Sequence, residues 1–233
     1  MKSARGESGR KAGASRLVAA ARWVLGAIAL FVARDAPAHT PPAVHAAFEA
    51  VLAAAPPAPR VAAWAHALPP VEVTAPNRAK AAIRLYADDG EVDPEARAIL
   101  ERIAAGDGSP HELAARVEQL LVRAAYHFGD AQVFVVSAYR ERASRHGTGE
   151  AIDFKLKGVT ARALAAYLRA LPRVGVGVYT NPRTQFVHLD VRDQSYHWLD
   201  ASPPGIRWRE GALRDPGAEK RDAAWTPQMD LPQ

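Results

Sequence analysis

Two short segments constrain this chain more than any other part of it. The first, Ser144-Arg145-His146-Gly147-Thr148-Gly149-Glu150-Ala151-Ile152-Asp153-Phe154, runs from a glycine-rich loop into an alternation of polar and apolar residues, Glu150 to Leu156. The second, Phe186-Val187-His188-Leu189-Asp190, lies in a similar alternation, Gln185 to Val191. Alternation with a period of two, bounded by turn residues, predicts two β-strands. A strand from about Gly149 holds Asp153 firmly, with His146 in the loop that feeds it. His188 and Asp190 are two apart, so both side chains leave the same face. Two imidazoles and two carboxylates suit zinc, whose catalytic sites use three protein ligands and keep a fourth position for water. We read His146, Asp153 and His188 as ligands of Zn2+. Asp190 keeps two open roles, accepting a proton from the water or orienting a ligand. Singly, each residue has a plainer reading as a loop, capping or core residue; order and spacing favour the metal.

The rest of the central region reads as a frame for these segments. Ala82 to Ala87 is expected as a strand with Ile83 and Leu85 inward. Asp93 caps a helix with Pro94 at its first position, running to about Ala105. Ser109-Pro110-His111-Glu112 has the form of a capping box for a second helix, with Leu113, Val117, Leu120, Leu121 and Ala124 on its apolar face. Gln132 to Ser137 is a strongly apolar strand that delivers Tyr139 and Arg140 to its carboxyl end. Arg140 suits a substrate carboxylate or a developing oxyanion, the alternative being a structural ion pair. Thr160 caps a helix to about Leu171. Val174–Tyr179 and Gln185–Val191 are expected to form a hairpin across Asn181-Pro182-Arg183-Thr184. Tyr196, His197 and Trp198 are expected to pack over the site, His197 at its rim.

His146-x6-Asp153 contains His-x-x-Gly-x-Ala-x-Asp. It is followed by Val176-Gly177-Val178-Tyr179 and Phe186-Val187-His188-x-Asp190, and preceded by Ser137-Ala138-Tyr139-Arg140. This set resembles the zinc D-alanyl-D-alanine carboxypeptidase-like peptidases, most of all their periplasmic murein endopeptidase branch. The resemblance covers roughly Arg84 to Trp198 and rests on four motifs in order. It implies an α+β fold of the hedgehog/D-Ala-D-Ala-peptidase type, with a small antiparallel-rich central sheet, helices packed on it and the zinc site at the sheet edge. It implies a His-Asp-His zinc site and cleavage of peptide bonds in peptidoglycan stems; beside it, the residues themselves give Asp190 and Arg140 as the catalytic side chains. Three departures stand out. The segment from Arg140 to His146 is short where relatives carry a longer insertion along the cleft. Ala138 stands where glycine is common. Gln185 stands where some relatives carry a glutamate base. The short segment motivates the alternative reading, a non-catalytic peptidoglycan-binding envelope protein that keeps the fold.

Charge narrows the partners. Of 30 basic and 25 acidic residues, seven and two fall within residues 1–38, so the remainder carries 23 of each. A formally neutral body gives no reason to expect nucleic-acid binding. The chain has no cysteine, hence no disulfide and no thiolate catalysis. Residues 1–38 read as an export signal: a basic start, the apolar run Trp23 to Ala33, then Ala36-Pro37-Ala38 for cleavage. An uncleaved anchor is the alternative and the one expected membrane contact; either way the domain is placed in the periplasm or cell envelope. Residues 39–77 read as an alanine- and proline-rich linker with a short helix over Ala43 to Ala55. Residues 78–200 read as the folded domain, and 201–233 as a poorly ordered tail.

Overall fold

A computed structural model describes residues 62–206 and 211–232. The expected export signal, the helix over Ala43 to Ala55, His39, His45 and Trp208 lie outside the described residues. Among the described residues no helix is long and apolar enough to cross a membrane.

Seven strands form one mixed sheet, and with the helices they make an α+β fold. In chain order the elements are α1 (Ala63–His66), β1 (Val71–Thr74), β2 (Lys80–Ile83), α2 (Pro94–Ala105), α3 (Ala115–His127), β3 (Val133–Ser137), β4 (Ala151–Leu156), α4 (Ala161–Arg169), β5 (Val174–Tyr179), β6 (Val187–Val191), β7 (Tyr196–Asp200) and α5 (Ala218–Ala223), ending in a 3-10 turn, Pro227–Asp230. The spatial order is β2-β1-β3-β4-β6-β5-β7. β1 with β3 and β5 with β7 are parallel; the other neighbours are antiparallel.

Alternation gives the sheet two unlike faces. Ile152, Phe154 and Leu156 of β4, Val174, Val176 and Val178 of β5, and Val187 and Leu189 of β6 join one core with α2, α3 and α4. The opposite face carries Asp153, His188, Asp190, Gly175, Gly177 and Trp198. Local signals set the helix ends. The Asp93 carboxylate accepts from Glu95 N at 2.8 Å ahead of Pro94, and Gly106, at φ 62°, ends α2. Thr160 Oγ1 accepts from Ala163 N at 3.2 Å to start α4.

Four expectations are corrected. The folded domain begins before Arg78, because α1 and β1 belong to it; Val71 and Val73 are fully buried, and β1 bridges β2 and β3. The capping box at Ser109 to Glu112 is not used, and α3 starts at Ala115 without a side-chain cap. Tertiary partners take the backbone instead: Glu101 accepts from Leu113 N, Arg97 donates to Leu113 O, and Ala114 N donates to Gly149 O. Residues 211–232 are not a loose tail but a docked strap. Leu213 N bonds His197 O along the outer edge of β7. Asp222 accepts from Arg173 N, Ser195 N and Ser195 Oγ, and Asp230 pairs with Arg116. Trp225, which looks isolated in the sequence, lies against the guanidinium groups of Arg116 and Arg173, at 4.9 and 4.7 Å. Finally, the sheet is antiparallel-rich as expected but has seven strands rather than few, and the residues expected at its edge sit on interior strands.

One buried charge has a measurable consequence. Glu118 of α3 is fully buried and burial pushes its carboxyl up to about 7, although Arg97 donates to it at 2.5 Å. Its other oxygen has no partner among the described residues. A raised folded-state pKa means the folded protein holds the extra proton between the usual value of 4.5 and about 7, so stability falls as pH rises through that window. The expected cost is roughly 2–4 kcal/mol between pH 4.5 and 8. Glu118→Gln should remove this slope from thermal melts taken across the range. Parallel profiles for the two proteins would contradict it.

A candidate metal centre on the open face of the sheet

One row of register partners crosses five strands: Ser137 on β3, Asp153 on β4, His188 on β6, Gly177 on β5 and Trp198 on β7. A bulge in β3 sets the first of these. Val135 pairs with Phe154 and Ser137 with Asp153, so Val136 is the extra residue. Bulges re-aim side chains next to functional sites, and here Ser137 Oγ accepts from Arg140 Nε at 2.9 Å. Gly177 leaves room for its neighbour, because a Cβ there would run into the Trp198 indole; one at Gly175 would meet the Asp190 carboxylate and Arg192. The paired glycines of β5 thus let side chains from both flanking strands lie flat across it. The Trp198 ring centroid is 5.0 Å from that of His188.

His146 reaches this row from the loop between β3 and β4. The loop is pinned at several points: Gly147 N to Ser144 O at 2.8 Å, Glu150 N to Arg145 O at 2.8 Å, and Arg145 Nη1 to Val191 O at 2.8 Å. The structure brings His146, Asp153 and His188 together, all three buried. His146 Nε2 lies 3.1 Å from His188 Nδ1 and 3.3 Å from Asp153 Oδ1, and His188 Nδ1 lies 2.9 Å from that same oxygen.

The outer bonds fix the proton positions. His146 Nδ1 faces the Ala138 carbonyl, which can only accept, so that nitrogen carries the hydrogen. His188 Nε2 donates to Asp190 Oδ2 at 3.0 Å. His188 faces a carboxylate at each nitrogen, Asp190 at Nε2 and Asp153 at Nδ1; with the one hydrogen of the neutral ring on Nε2, the nitrogens that face each other are lone pairs, and Asp153 Oδ1 adds a third acceptor. Three converging acceptors without a donor need a cation between them. A proton on His188 is one solution: burial opposes it, but the bonds to Asp153 and Asp190 outweigh burial and hold the imidazole above its usual pKa. A metal ion is the other. The three side chains form the one such ligand cluster among the described residues. Two imidazole nitrogens and a carboxylate oxygen, each oriented by an outer partner, match the donor chemistry of zinc.

The carboxylates respond to their partners. Burial acts to raise both, yet His146 and His188 hold Asp153 well below the usual carboxylate range, and His188 and Arg192 hold Asp190 below it. Asp190 is 1% exposed. It is occupied by His188 Nε2 and by both donors of Arg192, with Arg145 Nε at 3.5 Å, on the side of the imidazole away from Nδ1. Arg140 donates to Asp153 Oδ2, the oxygen the histidines leave free, and its side chain is 43% exposed.

The other histidines stand elsewhere. His197 is not at the rim: it faces the opposite side of β7, buried, with Nε2 3.1 Å from Asp215 of the strap. His66 lies beside Asp88, His111 stacks on Tyr139 and His127 on Tyr167. Two features of this site had no place in the sequence-based expectations, the β3 bulge and Arg192. The bulge has no local signal, while Arg192, two residues after Asp190, does have one.

Residues 111–198 match the family model described as peptidoglycan L,D-endopeptidase MepK, over less than half of the chain. The matched segment contains Arg140, His146, Asp153, His188, Asp190 and Trp198. The resemblance to the murein endopeptidase branch of the zinc D-Ala-D-Ala carboxypeptidase-like peptidases is shown over this segment. No curated protein and no solved structure matches the chain.

Proposed function

We propose that this chain is an exported zinc metallopeptidase of the periplasm or cell envelope that hydrolyses amide bonds in peptidoglycan stem peptides or their cross-links. The reading rests on one observation above all: three ligand atoms, His146 Nε2, His188 Nδ1 and Asp153 Oδ1, converge within 3.3 Å, and they carry no donor when His188 is neutral with its hydrogen on Nε2. The match to the MepK family model supports peptidoglycan as substrate, and the mixed sheet is compatible with a hedgehog/D-Ala-D-Ala-peptidase-like fold. His146, Asp153 and His188 would hold the zinc, which would supply Lewis acidity for amide hydrolysis.

The chain's own residues supply the rest. Arg140 neutralises the outer oxygen of Asp153 and keeps the inner one turned to the histidines. Its exposed side chain also stands where a substrate carboxylate or an oxyanion can meet it. Of the two roles open to Asp190, its placement supports the orienting one: it holds the His188 proton on Nε2, and Arg192 holds Asp190. Asp190→Asn should therefore weaken zinc binding about 10- to 100-fold in competition with a chelator, with little change in the metal-free melting temperature. Zinc affinity unchanged in the variant would return Asp190 to the role of proton acceptor.

Purified sacculi treated with zinc-loaded protein should lose a defined muropeptide species, identified by separation before and after. The alternative, a non-catalytic peptidoglycan-binding envelope protein, is favoured by the short Arg140–His146 segment. Sacculus binding with an unchanged muropeptide profile at any zinc concentration would establish it.

A further inference from the structure

A cleft of about 330 Å³ opens beside the ligand cluster, and its two walls differ in origin. Arg140 and Asp153 form one wall, Tyr179 and Phe186 the floor, and the segment from Asp200 to Ile206 the other wall. That second wall begins after Trp198, beyond the segment that matches the family model. Its chemistry is therefore read from this chain's own residues.

The carboxylate on this wall is Asp200. Tyr196, Trp198 and Asp200 alternate along β7 and share the open face. Asp200 is the register partner of Tyr179, as Trp198 is of Gly177 and Gly177 of His188. It therefore stands one side-chain row and two strands from His188, on the order of 12 Å away. One oxygen of Asp200 accepts from Ser202 N at 2.8 Å and from Ser202 Oγ. Its other oxygen has no partner among the described residues. The two oxygens of Asp153, by contrast, are both taken. The charge of Asp200 reaches the floor: burial first, then Asp153, then Asp200 hold the Tyr179 hydroxyl above its usual pKa.

A guanidinium on one wall and a carboxylate on the other match a group that carries both a carboxylate and an ammonium. We infer that Asp200 is a specificity residue, which receives the free ammonium of a diamino-acid residue in the stem peptide while Arg140 takes the carboxylate beside it. This rests on the hydrolase reading above. An ion pair in a half-open cleft contributes about a tenfold preference.

The test uses two stem peptides that differ only in whether the side-chain amine of the diamino acid is free or acetylated. The zinc-loaded wild-type protein should cleave the free form with a kcat/KM about tenfold higher, mainly through KM. Asp200→Asn should bring that ratio close to one. Asparagine keeps the turn, since its side-chain carbonyl also accepts from the amide two residues on, so a loss of preference reports the charge. Equal turnover of both peptides by the wild type, or an unchanged ratio in the variant, would overturn the inference. Turnover of neither peptide would overturn the hydrolase reading instead. Calorimetric binding of the same pair to the full chain then decides the role of Asp200: tighter binding of the free amine, lost in Asp200→Asn, upholds it, and equal binding refutes it.

Discussion

His146→Ala is expected to lower amide hydrolysis by roughly 10^4-fold or more while leaving the fold intact. The expectation follows from how the three ligand atoms are held. His146 contributes one of three acceptors that converge within 3.3 Å, and two remaining acceptors no longer enclose a cation. The same substitution relieves the metal-free protein of lone pairs that face each other, so the melting temperature without zinc should be little changed. With zinc the two proteins should part. A ligand at a thousand times its dissociation constant stabilises by about 4 kcal/mol, which raises the melting temperature of a domain this size by about 10 °C. The wild type should show that rise and the variant should not. Retained turnover in the variant, or an equal zinc shift in both, would end the assignment of His146 as a ligand.

Gly149→Ala is expected to cost about 3–4 kcal/mol and to abolish detectable zinc binding. Gly149 sits at φ +72°, where a side chain is strained, and a Cβ there would run into the Glu112 carbonyl oxygen. That oxygen cannot retreat cheaply. The backbone around it is fixed by Glu101 on Leu113 N, by Arg97 on Leu113 O and by the bond from Ala114 N to Gly149 O itself. The strain must therefore be taken up by the loop, three residues from His146. Gly158 provides the comparison: it has a similar φ of +77° with nothing within 4 Å of a Cβ. Gly158→Ala should cost only the backbone term, about 1 kcal/mol. Equal losses in the two variants, measured by denaturant unfolding, would show that the contact with Glu112 carries no weight.

The parts of this molecule that were legible in the sequence are those governed by local chemistry. Asp93-Pro94 and Thr160 start helices because their side chains bond amides two or three residues on. The β5–β6 hairpin follows from Asn181 to Thr184, and the alternation around Asp153 and His188 fixes which face they share. What the sequence hid depends on partners far along the chain. Val71–Thr74 is four residues between prolines and reads as linker, yet it becomes an interior strand because β2 and β3 flank it. The capping box at Ser109 looks sufficient by itself, but Glu101 and Arg97 outcompete it. The strap is rich in proline and charge, and it docks through Asp222 and Asp230, whose partners Arg173 and Arg116 lie some fifty and more than a hundred residues earlier. Asp190 stands out in the sequence for its spacing from His188; that it stands behind His188 rather than beside the cleft is set by Arg192 and by the glycines of β5.

The row Ser137–Asp153–His188–Gly177–Trp198 also bears on time. Its members come from five strands, and the chain must set each pair in register before they align. A slip of one residue between β4 and β6 would put Val187 or Leu189 opposite Asp153 and turn His188 into the core. The three acceptors come from β4, β6 and the loop before β4, so the candidate metal site is complete once the long-range pairing of β4 with β6 has closed in register, whether or not the outer strands have joined. An ion held there would favour that one alignment of β4 and β6 over its slipped neighbours.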